Sequence, residues 1–512
     1  MTAAHTDERT PVTEHAPSPT FDSRSAVAPH AMRVIWLLLA AAFVVILNET
    51  IMSVALSELM HDLDITARLA QWLTTAFMLT MAVVIPITGF LLQRYTTRQV
   101  FITAMSLFSL GTLLAACAPG FWMLLGARIV QASGTAIMMP LLMTTLMTLV
   151  PPAARGKTMG NVAIVMSVAP AVGPAVSGLI LDQLSWRWMF IIVLPIALAM
   201  LGVGIRFVTN VNEPRKLPIN VSSIALSAIG FGGLVYGLSN IGSGDGDNPQ
   251  GTPLTAWVAI GVGVLTLVFF VLLQKRLEKK DDALLDLRTF TSGNFSVSVA
   301  MMVVAMMGLF GTIVLLPIYL QQGLGMDPLL IGLLVLPGGL LMGVMGPVVG
   351  RLYDQVGTRP LLIPGTVIVA AVLWTLATVV SSETSPFLIL GAHIVMSLGL
   401  SLLFTPLFTS SMGSVRPQLY SHASAIVGTV QQVAGAAGTA LFVTVMATVS
   451  TGLVASGAAE VPALAGGVRA AFLVGAIVFS LSIIAAIFVR KPADDLDADA
   501  HDAADPVAVG AL

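Results

Sequence analysis

Glu49 and Arg128 are the only clear acid and base that fall well inside long apolar stretches of this 512-residue chain. A full charge at the centre of a membrane helix costs about 2.5–3.5 kcal/mol on insertion scales, so such a residue faces a cavity or a partner. Ser53 and Ser57 follow Glu49 at i+4 and i+8, on one helical face, as a polar stripe lining a crevice would. A carboxyl there is neutral when dry and ionised when wetted or near a cation, so it could take a proton from one side and release it to the other. The competing reading is a structural Glu held by hydrogen bonds or snorkelling to the interface. Arg128 heads a second stripe with Gln131 and Thr135, at i+3 and i+7. Arg stays charged in either state, so its work would be to favour the ionised form of a nearby carboxyl or to pin backbone carbonyls. Bridging helix ends is the plainer alternative, and spacing does not fix whether Glu49 is its partner.

A second group of residues acts through shape. In APAVGPAVSGLIL, Pro174 removes an amide donor while Gly173 and Gly178 allow close helix approach, so this stretch could set a rigid bend. His393, Ser397 and Ser401 form another i, i+4, i+8 stripe and offer a cavity lining, although a lone His is more often structural than a proton relay. Ser424, Gly428, Gln431, Gly435 and Gly438 share helical spacing that fits tight packing, with Gln431 a possible cavity residue. Met pairs at 301–302 and 306–307 read as packing or as an adaptable surface. Trp36, Trp72, Trp122, Trp186 and Trp188 sit near span ends, where an interfacial belt accounts for them.

The elements that must position these residues follow from composition. Charged residues make up 10% of the chain and hydrophobic ones 56%, with mean hydropathy +0.92. A soluble domain carries roughly 25% charged residues, so this is a polytopic, all-α membrane protein. The net charge of −2 leaves no basic footprint for nucleic acid. The single Cys117 excludes an intramolecular disulfide and a multi-cysteine metal site, and no metal or cofactor is expected. No G-x-x-x-x-G-K-[ST] is present to energise the chain by ATP, and no His/Asp/Cys cluster or nucleophile elbow points to an enzyme.

Fourteen apolar runs are long enough to span, near residues 33–56, 70–93, 98–118, 121–148, 158–181, 188–209, 219–240, 254–274, 293–320, 328–351, 360–381, 386–411, 422–449 and 468–490. Residues 1–32 read as a disordered tail and 491–512 as an acidic one. Fourteen spans put both termini on one side. Under an N-inside assignment the inner links hold Arg94/Arg98, Arg155/Lys157, Arg206/Arg215/Lys216, Lys275 to Arg288, Arg351/Arg359, Arg416 and Arg490/Lys491, while the outer ones hold only Arg68, Arg187 and Arg469. The positive-inside rule therefore makes both termini cytoplasmic, in a cell membrane crossed many times.

GFLLQRYTTRQVF from Gly89 and GRLYDQVGTRPLL from Gly350 align without gaps: Gly89/Gly350, Leu91/Leu352, Thr97/Thr358 and Arg98/Arg359 coincide. Both copies join a helix end to a tight turn and a new helix, which suggests two homologous bundles working around a midplane site.

At these loops the sequence resembles the major facilitator superfamily, whose signature there is G-x-L-x-D-R-x-G-R-R. The second copy keeps Gly350, Leu352, Asp354, Gly357 and Arg359; the first has Gln93 for Asp and Thr96 for Gly. LLGARIVQASGTAIMMP is similar to the family's R-x-x-Q-G-x-G, and GPAVSG to its antiporter motif G-P-x-x-G-G. LNETIMSVAL and SWRWMF resemble the fourteen-helix drug:proton antiporters, the lincomycin-resistance branch included. The resemblance implies a cytoplasmic gate at Gly89, Arg98, Gly350, Asp354, Gly357 and Arg359, and a family Asp at the position of Asn48, one residue before Glu49. It implies an N-terminal six-helix bundle over 33–209, two inserted helices and a linker over 210–288, and a C-terminal bundle over 289–490. Its implied function is proton-driven export of small amphipathic compounds through a cavity to which Asn48, Ser53, Gln131, Thr135, His393 and Gln431 contribute. The alternative is an importer or facilitator of a small solute. The expected partners are that solute, protons and the bilayer; oligomeric state is not legible.

Overall fold

The computed structural model describes residues 29–212, 214, 215, 218, 220–241 and 252–492, without the side chains of 29, 53, 54, 57, 67, 68, 328 and 329. The tails expected over 1–32 and 491–512 thus lie almost wholly outside the described residues, apart from 29–32, which begin the first helix, and Lys491 and Pro492. The first half contains α1 (Pro29–Asp62), α2 (Ala67–Arg94), α3 (Thr97–Ala116), α4 (Phe121–Leu149), α5 (Arg155–Gln183) and α6 (Arg187–Phe207). Next come α7 (Val221–Ser239) and α8 (Leu254–Leu277). The second half contains α9 (Gly293–Ile318), α10 (Pro328–Val356), α11 (Arg359–Val379), α12 (Pro386–Gly413), α13 (Tyr420–Ala455) and α14 (Glu460–Phe488). Each is long and apolar enough to cross a membrane.

Helices outrun the apolar stretches where a polar turn extends them. α1 continues to Asp62, and α14 starts at Glu460, eight positions before the apolar run, with an acid in the first turn that suits the helix dipole. The two copies of the repeated loop turn differently. Thr96 is extended and closes a capping box with Gln99, whereas Gly357 adopts φ 80°, a left-handed conformation that Gly tolerates best.

Packing repeats with a period of eight helices. α3 packs on α4 and α6, α2 on α4, and α1 on α5 and α6; α11 packs on α12 and α14, α10 on α12, and α9 on α13 and α14. Across the seam between the two sets, α5 meets α10 and α2 meets α13, again as equivalent pairs. α7 lies against both α2 and α13, and α8 packs on α7 where Gly230, Gly233, Gly237 and Gly263 let the backbones touch. At the end of the bundle opposite the Lys/Arg-rich loops, Trp186 Nε1 and Arg187 Nη1 donate to Asp62 Oδ2 at 2.7 and 3.0 Å, while Arg187 Nη2 holds the Ala118 carbonyl. Trp186 is buried, so a tertiary clamp explains it where the interfacial belt does not; Trp36, Trp122 and Trp188 stay exposed.

Candidate functional site

Arg128 meets Asn48, the neighbour of Glu49 on α1. Arg128 is 1% exposed and donates from Nη1 to Gln131 Oε1 at 2.6 Å and to Asn48 Oδ1 at 3.4 Å. Its guanidinium sits over the Phe77 ring of α2, 4.1 Å from the centroid, and its Nε has no partner. Gln131 Nε2 donates to Thr112 Oγ1 at 2.8 Å, tying the cluster to α3. Glu49 is half-buried and within electrostatic reach of Arg128, with no hydrogen bond joining the two. A desolvated cation–π contact is worth about 2 kcal/mol, so Phe77 and Asn48 together offset part of what a buried guanidinium costs.

Local sequence explains how the cluster forms. A side chain at Gly111 would strike the Gln131 backbone, and one at Gly134 would strike Ala104 and Phe108, so α3 and α4 approach closely enough for Thr112 to reach Gln131. Thr135 Oγ1 returns to the Gln131 carbonyl of its own helix, and the whole stripe is buried between helices. Ser53 and Ser57 continue α1, but their side chains lie outside the described residues. Gly173 abuts Thr50, next to Glu49, so the antiporter-like stretch of α5 packs at the level of the acid; Gly178 faces open space.

A second constellation closes the end of the seam that carries Arg94, Arg155, Arg288, Arg351 and Arg416, here called the basic end. Asp354 accepts the Gly156 and Lys157 backbone N–H groups, both at 2.9 Å, capping the first turn of α5 from α10. The equivalent Gln93 donates to Ser421 Oγ at 3.1 Å and lies 2.7 Å from His422 Nε2, in the first turn of α13. Thr144 on α4 meets Ser424 on α13 at 2.8 Å, and Gly89 faces Ser421 and Ala425. Gly350 abuts Gly156, Gly346 abuts Gly160, Gly343 abuts Val168 and Gly339 abuts Ala171, so α5 and α10 close along a glycine ladder. Arg98 does something else: it donates to the Ile205 carbonyl at 2.6 Å, within the first half, while Arg359 is exposed at the start of α11. Between these constellations lies a cavity of about 50 Å³ lined by Met159, Met166, Met306, Met342, Phe404 and Phe408, with the unpartnered hydroxyls of Ser167 and Thr405.

His393 is buried where α12 meets Gly338 of α10, with Ser397 beside it. Gln431 is half-buried and bonds back to the Val427 carbonyl; Gly435 and Gly438 pack on Phe310 and Met307 of α9. Sequence reasoning missed Thr112, Phe77, Ser421 and His422. The Gly339-Gly343-Gly346-Gly350 spacing was a readable signal for the ladder, and the position of Gln93 for its partners; Thr112 and Phe77 carried none.

Two six-helix sets sharing one pattern, a buried charge cluster in one set and a seam closed at one end define a polytopic membrane transporter. The Major Facilitator Superfamily model matches residues 38–439, and the chain belongs to that family. It is 40% identical over 460 residues to lincomycin resistance protein LmrB of Bacillus subtilis (strain 168), covering 89% of this chain and 95% of the relative. It is 28% identical to a multidrug resistance protein B homolog of Mycobacterium tuberculosis (strain ATCC 25618 / H37Rv), over 77% and 72% of the two chains. The human organic anion transporter MFSD10 shares the fold, with a TM-score of 0.66 at 14% identity over 90% of this chain and 100% of that one.

Proposed function

We propose that this chain exports small amphipathic compounds in exchange for protons, by alternating access between an N-terminal bundle over 33–209 and a C-terminal bundle over 289–490, with both termini and the basic end in the cytoplasm. One observation carries the reading: a membrane-embedded carboxyl, Glu49, lies within the field of the buried Arg128 and beside the Gly173 contact of α5. Proton uptake there changes the local charge at the point where α1 bears on α5, just beyond the glycine ladder. Asn48, at the position of the family's usual acid, is neutral and already holds Arg128, which leaves Glu49 as the proton carrier. The names of the lincomycin- and multidrug-resistance relatives support amphipathic substrates.

Everted vesicles test this with lincomycin and a fluorescent lipophilic cation as probes. Uptake that collapses with a protonophore, and is lost in Glu49→Gln, is the expected result. Undiminished proton-driven uptake by Glu49→Gln overturns the assignment of the carrier, and gradient-driven entry into whole cells would favour an importer.

A further inference from the structure

The inserted helices have no part in the mechanism above, yet they lie over its moving seam. α7 touches α2 of one six-helix set and α13 of the other. α8 turns Val258, Val262, Leu265, Phe269 and Leu272 outward to lipid. One residue breaks that apolar pattern from a fully buried position: Gln274, 0% exposed. Its Oε1 accepts the Leu284 N–H at 2.8 Å and the Leu285 N–H at 3.4 Å, while its Nε2 donates to Ser223 Oγ of α7 at 3.0 Å. The chain after α8 is thereby folded back under the bundle. Glu278 fastens it by accepting the Leu287 N–H at 2.6 Å, and Arg288 clasps Asp286 and Asp281, at 2.6 Å to each.

The segment held this way ends at the gate. The Leu284 backbone lies against the His422 imidazole, within the fields of Asp286 and Arg288, and His422 Nε2 is 2.7 Å from Gln93 of α2. Hydrogen bonds run from Ser223 through Gln274 to Leu284, and another joins His422 to Gln93; His422 Nδ1 is buried with no hydrogen-bond partner among the described residues, so the linker meets the ring by packing. The path leads from the inserted pair to the contact that closes the seam between the two sets.

We propose that Gln274 is a positioning residue for transport: it holds the 281–288 linker against His422, so that the inserted pair braces the closed seal and the linker must yield when the seal parts. The proposal takes its direction from the transport reading, with the basic end cytoplasmic. Its tests read gate geometry, so they succeed or fail separately from any transport assay. By linkage, whatever loosens the linker opens the seal, and whatever opens the seal loosens the linker.

In a Cys117→Ser background, Met159→Cys puts a thiol in the seam cavity, hidden until the seal parts. Gln274→Met keeps the side-chain length and removes its hydrogen bonds. Labelling from the basic face in everted vesicles is expected to rise about fivefold, the equilibrium equivalent of one lost hydrogen bond. Ser223→Ala, which cuts only the α7 end, should give a smaller rise, and Gln274→Glu, which keeps the acceptor for Leu284, should stay nearer the parent. An unchanged labelling rate in folded Gln274→Met overturns the proposal. Should that variant misfold, hydrogen exchange decides from the other direction. A side chain at Gly350 wedges α5 from α10 far from the linker, so Gly350→Val should raise exchange of the Leu284 and Leu285 amides about fivefold. Protection equal to that of the parent chain sinks the idea.

Discussion

Arg128 has neighbours of three kinds: two amides that accept from it, an aromatic face that attracts its charge, and a carboxyl it reaches only through space. Lysine would keep the charge but lose the planar contact with Phe77 and the simultaneous reach to Asn48 and Gln131. Arg128→Lys is thus expected to fold and to lose at least about tenfold in transport rate, because an ammonium there no longer holds Asn48 and Gln131 together under the Phe77 ring. Transport at the parent rate in membranes with equal protein would count against the network. Glu49 and Arg128 were legible in the sequence because charge in a membrane helix is rare. Their geometry was not: Thr112 and Phe77 become partners only when α2, α3 and α4 meet.

At the scale of elements, the Asp62 clamp and the glycine ladder make separate predictions. Hydrogen bonds from Trp186 and then Arg187 hold the Asp62 carboxyl below the usual carboxylate range. A lowered folded-state value means the clamp stabilises above the unfolded value of about 3.9 and fades as pH falls through the folded one. Asp62→Asn should therefore melt slightly below the parent at pH 7, with the gap closing below about pH 4; an exposed pair of this kind contributes at most about 1 kcal/mol. A melting difference that grew toward acid would contradict the sign. For the ladder, Gly350→Val inserts an isopropyl group whose first carbon already strikes the Gly156 carbonyl, an overpacking cost of about 1–3 kcal/mol borne where α5 and α10 meet. Each six-helix set should stay folded while the seam opens, seen as faster labelling of Met159→Cys from the basic face and slower transport. The helices themselves were readable as apolar runs, with errors at their ends: α14 begins at Glu460 because a polar, acid-led turn continues a helix that hydropathy alone starts later.

For the whole molecule, orientation and the seam are the open quantities. Cys117 is exposed at the end of α3, opposite the Lys/Arg-rich loops, and is the chain's single cysteine. In intact cells an impermeant thiol reagent should label the natural protein at Cys117 and leave Lys279→Cys, in a Cys117→Ser background, untouched until the cells are opened. Labelling of position 279 from outside would reverse the topology. The sequence by itself determined that this chain lives in a membrane as fourteen helices, because scarcity of charge and runs of about 20 apolar residues admit no other solvent. It also exposed the loop repeat, because equivalent turns need similar residues. Only the tertiary structure decided what those residues touch. Asp354 caps α5, Gln93 meets His422, Arg98 stays within its own half, and Gln274 ties the linker after α8 to α7. A span is local and set by transfer from water to hydrocarbon; a gate joins residues more than 190 positions apart, which only packing brings together.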